Sequence, residues 1–256
     1  MKVLFSLIFS LSLVLELHAE IVESCAMADV RCYADAKTLI IFDIDNTIYE
    51  PIQALGSDQW YYHYFDKLVK EGMNPQRACE EAVFLCQKIQ WATKVQPIEK
   101  DTPDIIKSLQ RSGLRVMALT TRGSNVADAT CRQLASLGID MRETAPHPDN
   151  FTLTAMPEVL WQSGVLFTKG VHKGKAFLAF LEQSGFRPER VLFINDRGSH
   201  LCQLEEGCKE LGIPFVGLRY AAADEKVKNY RPEIAEVQLQ QFQILSDEAA
   251  AAMLQK

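Results

Sequence analysis

Two aspartates, Asp43 and Asp45, stand one residue apart at the end of an apolar run, in the stretch Ile40-Ile41-Phe42-Asp43-Ile44-Asp45-Asn46-Thr47. The run from Thr38 to Phe42 is too short for a helix and suits a fully buried strand. A carboxylate pair at the end of such a strand costs roughly several kcal/mol unless a cation offsets it, and Mg²⁺ would serve. Successive strand side chains point to opposite faces, but beyond the last paired residue the backbone turns, so both carboxylates can face one crevice. An ordinary Asp/Asn turn would use the same residues for no chemistry, and the rest of the chain decides between the two.

Three further polar clusters follow apolar runs or open helices. The run Leu114 to Leu119 passes straight into Thr120-Thr121-Arg122-Gly123, with Ser124 placed to cap the next helix. A strand that delivers hydroxyls and backbone N–H groups to a helix N-terminus makes an anion site. His172-Lys173-Gly174-Lys175 precedes an apolar helix, Ala176 to Leu181, where basic residues oppose the macrodipole and so are either solvated or placed there for another purpose. The run Arg190 to Ile194 ends in Asn195-Asp196-Arg197.

The elements that must position these residues alternate between strand and helix, with another strand at Ile213 to Tyr220. That alternation predicts an α/β fold, a Rossmann-like doubly wound parallel sheet whose ligands bind at the carboxyl ends of the strands. Two helices lie between Ser57 and Trp91, the second opening with Asn74 as N-cap and Pro75 at the first helical position. A bare crossover needs one helix, so the excess predicts a small helical cap inserted after the first strand, at about 52–98, on a core of 38–50 and 101–256. The cluster Trp60 to Phe65 is expected to be mainly a packing face. Glu20 to Lys37 is expected to be helical or irregular, Met141 to Gly170 an irregular stretch with a hairpin flanking the crevice, and Pro232 to Leu254 one or two closing helices.

Residues 1–19 have a charged start at Lys2, an apolar core from Val3 to Leu15, and Leu17-His18-Ala19 before Glu20, which fits a secretory signal cleaved after Ala19. The apolar stretch is shorter than the ~20 residues a bilayer core needs, so a secreted or periplasmic protein without stable membrane insertion is expected. A net charge of −6 argues against a nucleic-acid backbone binder. Seven cysteines leave at least one thiol free in any disulfide scheme, and the absence of Cys-x-x-Cys argues against a zinc site.

Taken in order, the four clusters resemble those of the haloacid dehalogenase (HAD) superfamily of hydrolases, in its secreted bacterial acid-phosphatase-like branch, over roughly residues 38 to 220. Asp43-Ile44-Asp45-Asn46-Thr47 matches the first motif, Thr120 the hydroxyl residue of the second, Lys173 the third better than Lys175, and Asp196 the fourth. Asn195 departs from the usual acidic pair or Gly-Asp, and His200 stands where some members carry a further Asp.

The resemblance implies a phosphomonoester hydrolase in which Asp43 is the nucleophile and Asp45 the acid and base. Thr120 and Lys173 would hold the phosphate, and Mg²⁺ would be bound by Asp43, Asp196 and the main-chain carbonyl of Asp45. The implied partner is a small phosphorylated substrate, such as a nucleotide or sugar phosphate. An inactive binding protein on the same fold is the alternative.

Overall fold

The described residues open with a strand where a helical or irregular lead-in was expected. The computed structural model describes residues 19–241 and 246–254, so the expected leader lies outside the described residues except for Ala19. Strand β1 (Ala19–Ser24) runs parallel to the last strand of the sheet and forms its edge. An edge strand buries little, and Ile21 is 39% exposed; with Glu20 and Glu23 beside it, the run carries no buried-strand signature. A 3-10 turn (Met27–Asp29) and the short α1 (Val30–Tyr33) lead into β2 (Thr38–Phe42), all five of whose residues are buried.

After β2 the chain leaves the core through β3 (Tyr49–Pro51) and returns through β4 (Val95–Pro97), an antiparallel two-stranded stem. Between them stand α2 (Asp58–Lys70) and α3 (Pro75–Ala92), so this excursion follows the Thr38–Phe42 strand. Ser57 caps α2 by accepting from the Trp60 N–H, and Asn74 caps α3 by accepting from the Gln76 N–H, with Pro75 at the first helical position.

The core continues with α4 (Thr102–Arg111), β5 (Arg115–Thr120), α5 (Ala127–Ser136), β6 (Phe151–Leu153), β7 (Met156–Gln162) and β8 (Val165–Phe167). It closes with α6 (Lys173–Ser184), β9 (Arg190–Asn195), α7 (Gly198–Glu210), β10 (Phe215–Tyr220), α8 (Asp224–Lys228), α9 (Pro232–Gln240) and α10 (Asp247–Met253).

The strand order is β1-β10-β9-β2-β5-β8-β7-β6. Pairing is parallel from β1 to β8 and antiparallel at β8–β7 and β7–β6, so the α/β sheet is mixed. The stretch expected as a hairpin beside the crevice instead extends the main sheet as a meander. Its β7 is hidden in the sequence by Pro157, which sits near the point where the β6–β7 register shifts, a place where a strand tolerates proline.

Each β2 side chain alternates between two cores. Ile40 and Phe42 join Ile105, Ile106 and Leu134 of α4 and α5 on one face, while Leu39 and Ile41 join Phe177, Phe180, Leu201 and Leu204 of α6 and α7 on the other. A third cluster, Leu55, Trp60 and Ala235, fastens the base of the inserted helices to α9, where Gln238 Oε1 accepts from Leu55 N at 2.8 Å. None of the seven cysteines is bonded to another.

Helices α6 and α7 meet backbone to backbone at Gly174 and Gly207. A Cβ on Gly174 would stand 2.0 Å from the Gln203 carbonyl oxygen, and one on Gly207 would stand 2.9 Å from that of Gly174. Gly174→Ala is therefore expected to lower stability by about 1–3 kcal/mol in denaturant unfolding. Gly198→Ala, where nothing lies within 4 Å of a Cβ, is expected to stay within about 0.5 kcal/mol of wild type.

Candidate active site

Past Phe42 one more residue stays paired, Asp43 donating its N–H to Ile194 O at 2.9 Å, and then the chain reverses. The Ile44 carbonyl receives the N–H groups of Thr47, Ile48 and Tyr49, and Asn46 takes the left-handed conformation at φ 57°, which asparagine tolerates better than most residues. This turn brings Asp43 and Asp45 close enough for the Asp45 charge to disfavour ionisation of Asp43.

Lys173, at the first turn of α6, is 0% exposed and reaches under the sheet edge. Its Nζ donates to Asp43 Oδ1 at 2.8 Å and to the Leu119 carbonyl at 3.0 Å. Lys175 is exposed and lies on the outside of the same helix turn. Burial pushes the Asp43 carboxyl above the usual carboxylate range, and the neighbouring ammonium opposes that shift. Thr120 is buried at the end of β5, its hydroxyl oxygen accepting from Arg122 N at 3.1 Å and its proton left free for another acceptor.

Asp45 is held by a residue that the sequence reading gave no role. Arg122 Nε donates to Asp45 Oδ2 at 2.9 Å and its NH2 to Oδ1 at 2.7 Å, a bidentate pair, while NH1 donates to Thr130 Oγ1 and Gln133 Oε1. The available signal was an arginine two residues past a buried strand, opposite another strand ending in two aspartates: once buried, such a guanidinium needs a carboxylate. Ser124, expected as a helix cap, instead opens a 3-10 turn (Ser124–Val126) and makes no side-chain cap.

Asp196 enters from the end of β9. Its N–H donates to Thr47 Oγ1 at 3.2 Å, and Asn46 Nδ2 approaches its Oδ2 at 3.4 Å. Asn195, in place of an acidic residue, uses Oδ1 to accept from Arg197 N at 2.8 Å and so fixes the loop that carries Asp196. Arg197 then ties that loop to the inserted helices, pairing with Asp58 and donating to Tyr62 Oη. His200 is held neutral, its pKa pushed down to about 3 by burial and by Lys173 and Arg197.

Burial and then the charge of Asp43 push Asp196 up to about 7. Burial also raises Asp58 to about 6, with Asp45 and Asp43 adding to the rise and Arg197 opposing it. Four carboxylates thus share one crevice with Lys173, Arg122 and Arg197, and the negative side is in excess.

Among the described residues no group of three or more His, Cys, Asp or Glu side chains could hold a metal. Two carboxylates and a carbonyl suffice for a hard dication that keeps several waters. Asp43 and Asp196, each under-compensated at the same edge, fit that requirement in charge and ligand type.

Residues 18–251 match the family described as "Protein of unknown function (DUF2608)". A protein of Chlamydia pneumoniae provisionally named an outer membrane protein is 30% identical over 242 residues, covering 90% of this chain and 91% of its own. A Chlamydia trachomatis protein with the same provisional name is 29% identical over 223 residues, covering 86% and 84%. Among solved structures, a HAD-superfamily hydrolase of subfamily IA, variant 1, from Geobacter sulfurreducens has a TM-score of 0.41 at 15% identity, covering 74% of this chain and 98% of that one. Among the described residues no helix is long and apolar enough to cross a membrane.

The crowding of carboxylates has a measurable sign. With a folded pKa near 7, Asp196 holds its proton more tightly in the folded than in the unfolded protein. The stability it contributes is full below about pH 4 and is lost as pH rises through about 7. The melting temperature of metal-free protein should fall between about pH 5 and 8, and Asp196→Asn should raise it at about pH 8 by about 2–4 °C. A variant no more stable than wild type at that pH contradicts this account.

Proposed function

The chain belongs to the DUF2608 family, described only as of unknown function, and from its site we propose a Mg²⁺-dependent phosphomonoester hydrolase that works through an aspartyl-phosphate on Asp43. The observation that carries this reading is the buried pair of Asp43 and Lys173, 2.8 Å apart at the carboxyl end of a parallel strand. Asp45, Thr120 and Asp196 stand around the same edge. A lysine with no exposure and a carboxylate raised by burial are poor packing choices, and good ones for a nucleophile that must meet a dianion.

In the first step Asp43 Oδ2 attacks phosphorus while Oδ1 stays with Lys173, and the leaving oxygen takes a proton from Asp45. In the second, water attacks the aspartyl-phosphate and gives its proton back to Asp45, regenerating Asp43. Lys173 and the free Thr120 hydroxyl proton hold phosphoryl oxygens as charge builds on them. Proton transfer through Asp45 requires Arg122 to give up one of its two bonds, and the phosphate dianion is the acceptor that competes for the guanidinium. Asp43, Asp196 and the main-chain carbonyl of Asp45 are the donors that would hold Mg²⁺, which when bound supplies charge neutralisation at the phosphoryl group.

Residues 38–50 and 101–256 carry the chemistry in this reading and the insert at about 52–98 covers it. Export through the leader, residues 1–19, to the periplasm or beyond belongs to the same proposal, and the names of the chlamydial relatives point to the cell envelope.

A binding protein on the same fold remains a second reading because both Asp45 oxygens are engaged by Arg122. It requires binding of phosphate analogues without turnover.

Mature protein with Mg²⁺ is expected to release phosphate from a simple aryl phosphate, with EDTA abolishing release and Asp43→Asn lowering kcat on the order of 10⁴-fold in protein whose circular dichroism still shows it folded. Mg²⁺ should raise the melting temperature of wild type and not of Asp196→Asn. Turnover that survives in Asp43→Asn overturns the covalent mechanism, and binding of vanadate without any turnover favours the second reading.

A further inference from the structure

A cavity of about 350 Å³ lies between the inserted helices and the loop after β5. It is bounded at the sheet edge by Asp45, Thr121 and Arg122 and does not include Asp43 or Lys173 in its wall. A ligand seated there adjoins the group assigned to protonate the leaving oxygen, so the cavity is on the leaving-group side of the phosphorus. This inference rests on the phosphatase reading and adds to it the class of alcohol that the phosphate esterifies.

The apolar part of the wall is built from Tyr61, Tyr62, Val83, Cys86 and Val126, while Ser57, Asp58, Thr121 and the exposed Lys169 add polar lining. Burial pushes the Cys86 thiol up to about 11, so it lines the wall as a neutral, weakly polar group. The amides in the wall are occupied by one another and by the backbone. Gln87 Nε2 donates to Asn125 O at 3.2 Å, Asn125 Nδ2 donates to Gln87 Oε1 at 3.3 Å, and Gln90 donates to Gly56 O at 2.7 Å while accepting from Gln133 at 2.9 Å. Tyr61 Oη is in contact with Cys79 Sγ at 3.7 Å, and Tyr62 Oη accepts from Arg197 at 3.1 Å.

A polyol entering this space would give up its water against a wall that is mostly apolar, and each hydroxyl left unpaired there is costly. A flat apolar group meets tyrosine rings and aliphatic carbon instead. A cavity of roughly 150 Å³ holds a benzene ring, so about 350 Å³ has room for one or two rings and not for a polymer.

We propose that the preferred substrate is the phosphate monoester of an aromatic or comparably flat, apolar alcohol of one or two rings, seated between Tyr61, Tyr62 and Val126, and that sugar and glycerol phosphates are disfavoured.

The test uses three alkyl esters, so that leaving-group basicity does not decide the result: benzyl phosphate, glycerol phosphate and a hexose 6-phosphate, each with full-length mature protein and Mg²⁺. Benzyl phosphate is expected to lead the other two in kcat/KM on the order of 100-fold. Val83→Trp, which fills the cavity, and Tyr61→Ala, which removes its ring, should each shrink that ratio to less than about tenfold, while Tyr61→Phe should preserve it. A ratio near one, or a lead for the polyol esters, overturns the inference and leaves the phosphatase reading standing.

If folded protein turns over none of the three, the phosphatase reading fails, and calorimetric titration with benzyl phosphonate against the matching glycerol phosphonate decides the inference by itself. Tighter binding of the benzyl compound upholds it, and equal or absent binding overturns it.

Discussion

The ammonium of Lys173 has no contact with solvent and depends on Asp43 and the Leu119 carbonyl for its charge to be tolerated. Removing one partner of such a buried pair typically costs about 3–5 kcal/mol, because the other charge is left uncompensated. The pair therefore sets strict terms for everything around it. Helix α6 must start directly below the ends of β2 and β5, and it can lie that low because Gly174 and Gly207 let α6 and α7 touch without side chains between them. The strands must end there too, so that three runs of apolar sequence terminate at one level and present polar residues together.

Lys173 alone does not balance the edge. Asp45, Asp58 and Asp196 add negative charge, and the two arginines that answer it also tie the core to the insert. Arg122 holds Asp45 and, through Gln133, reaches Gln90 of α3. Arg197 holds Asp58 and Tyr62 of α2. In the proposed reaction a substrate dianion entering the crevice would compete for both guanidinium groups, coupling binding to the closeness of the insert through charge. The base of the insert is also fastened to α9, by apolar contact and by the ion pair of Lys67 with Glu236. The cavity proposed for the leaving group has Arg122 in its wall.

What the sequence made legible follows from how much each residue's surroundings constrain its type. Strands β2, β5 and β9 are buried on both faces, so they had to be unbroken apolar runs, and their polar ends stood out. Asn74 and Pro75 marked a helix start, because an orphan N–H needs a side-chain acceptor and proline has no N–H to leave unpaired. Strand β1 is an edge and β7 carries Pro157, so neither bears the pattern of a buried strand. Lys173 and Lys175, which the family resemblance ranked in that order, differ in burial, and only the first reaches under the sheet. Arg122 was missed because its partner, Asp45, lies 77 residues away in sequence, and long-range charge pairing leaves no local signature.

The account depends on Asp43 carrying the phosphoryl group. The most direct measurement is to quench the protein with acid during turnover of a phosphomonoester, reduce the trapped species with borohydride, and sequence the peptides by mass spectrometry. An acyl phosphate on Asp43 is reduced to homoserine, and the account predicts that conversion at residue 43, absent without substrate. Turnover accompanied by conversion at another carboxylate, or by none at all, would contradict it.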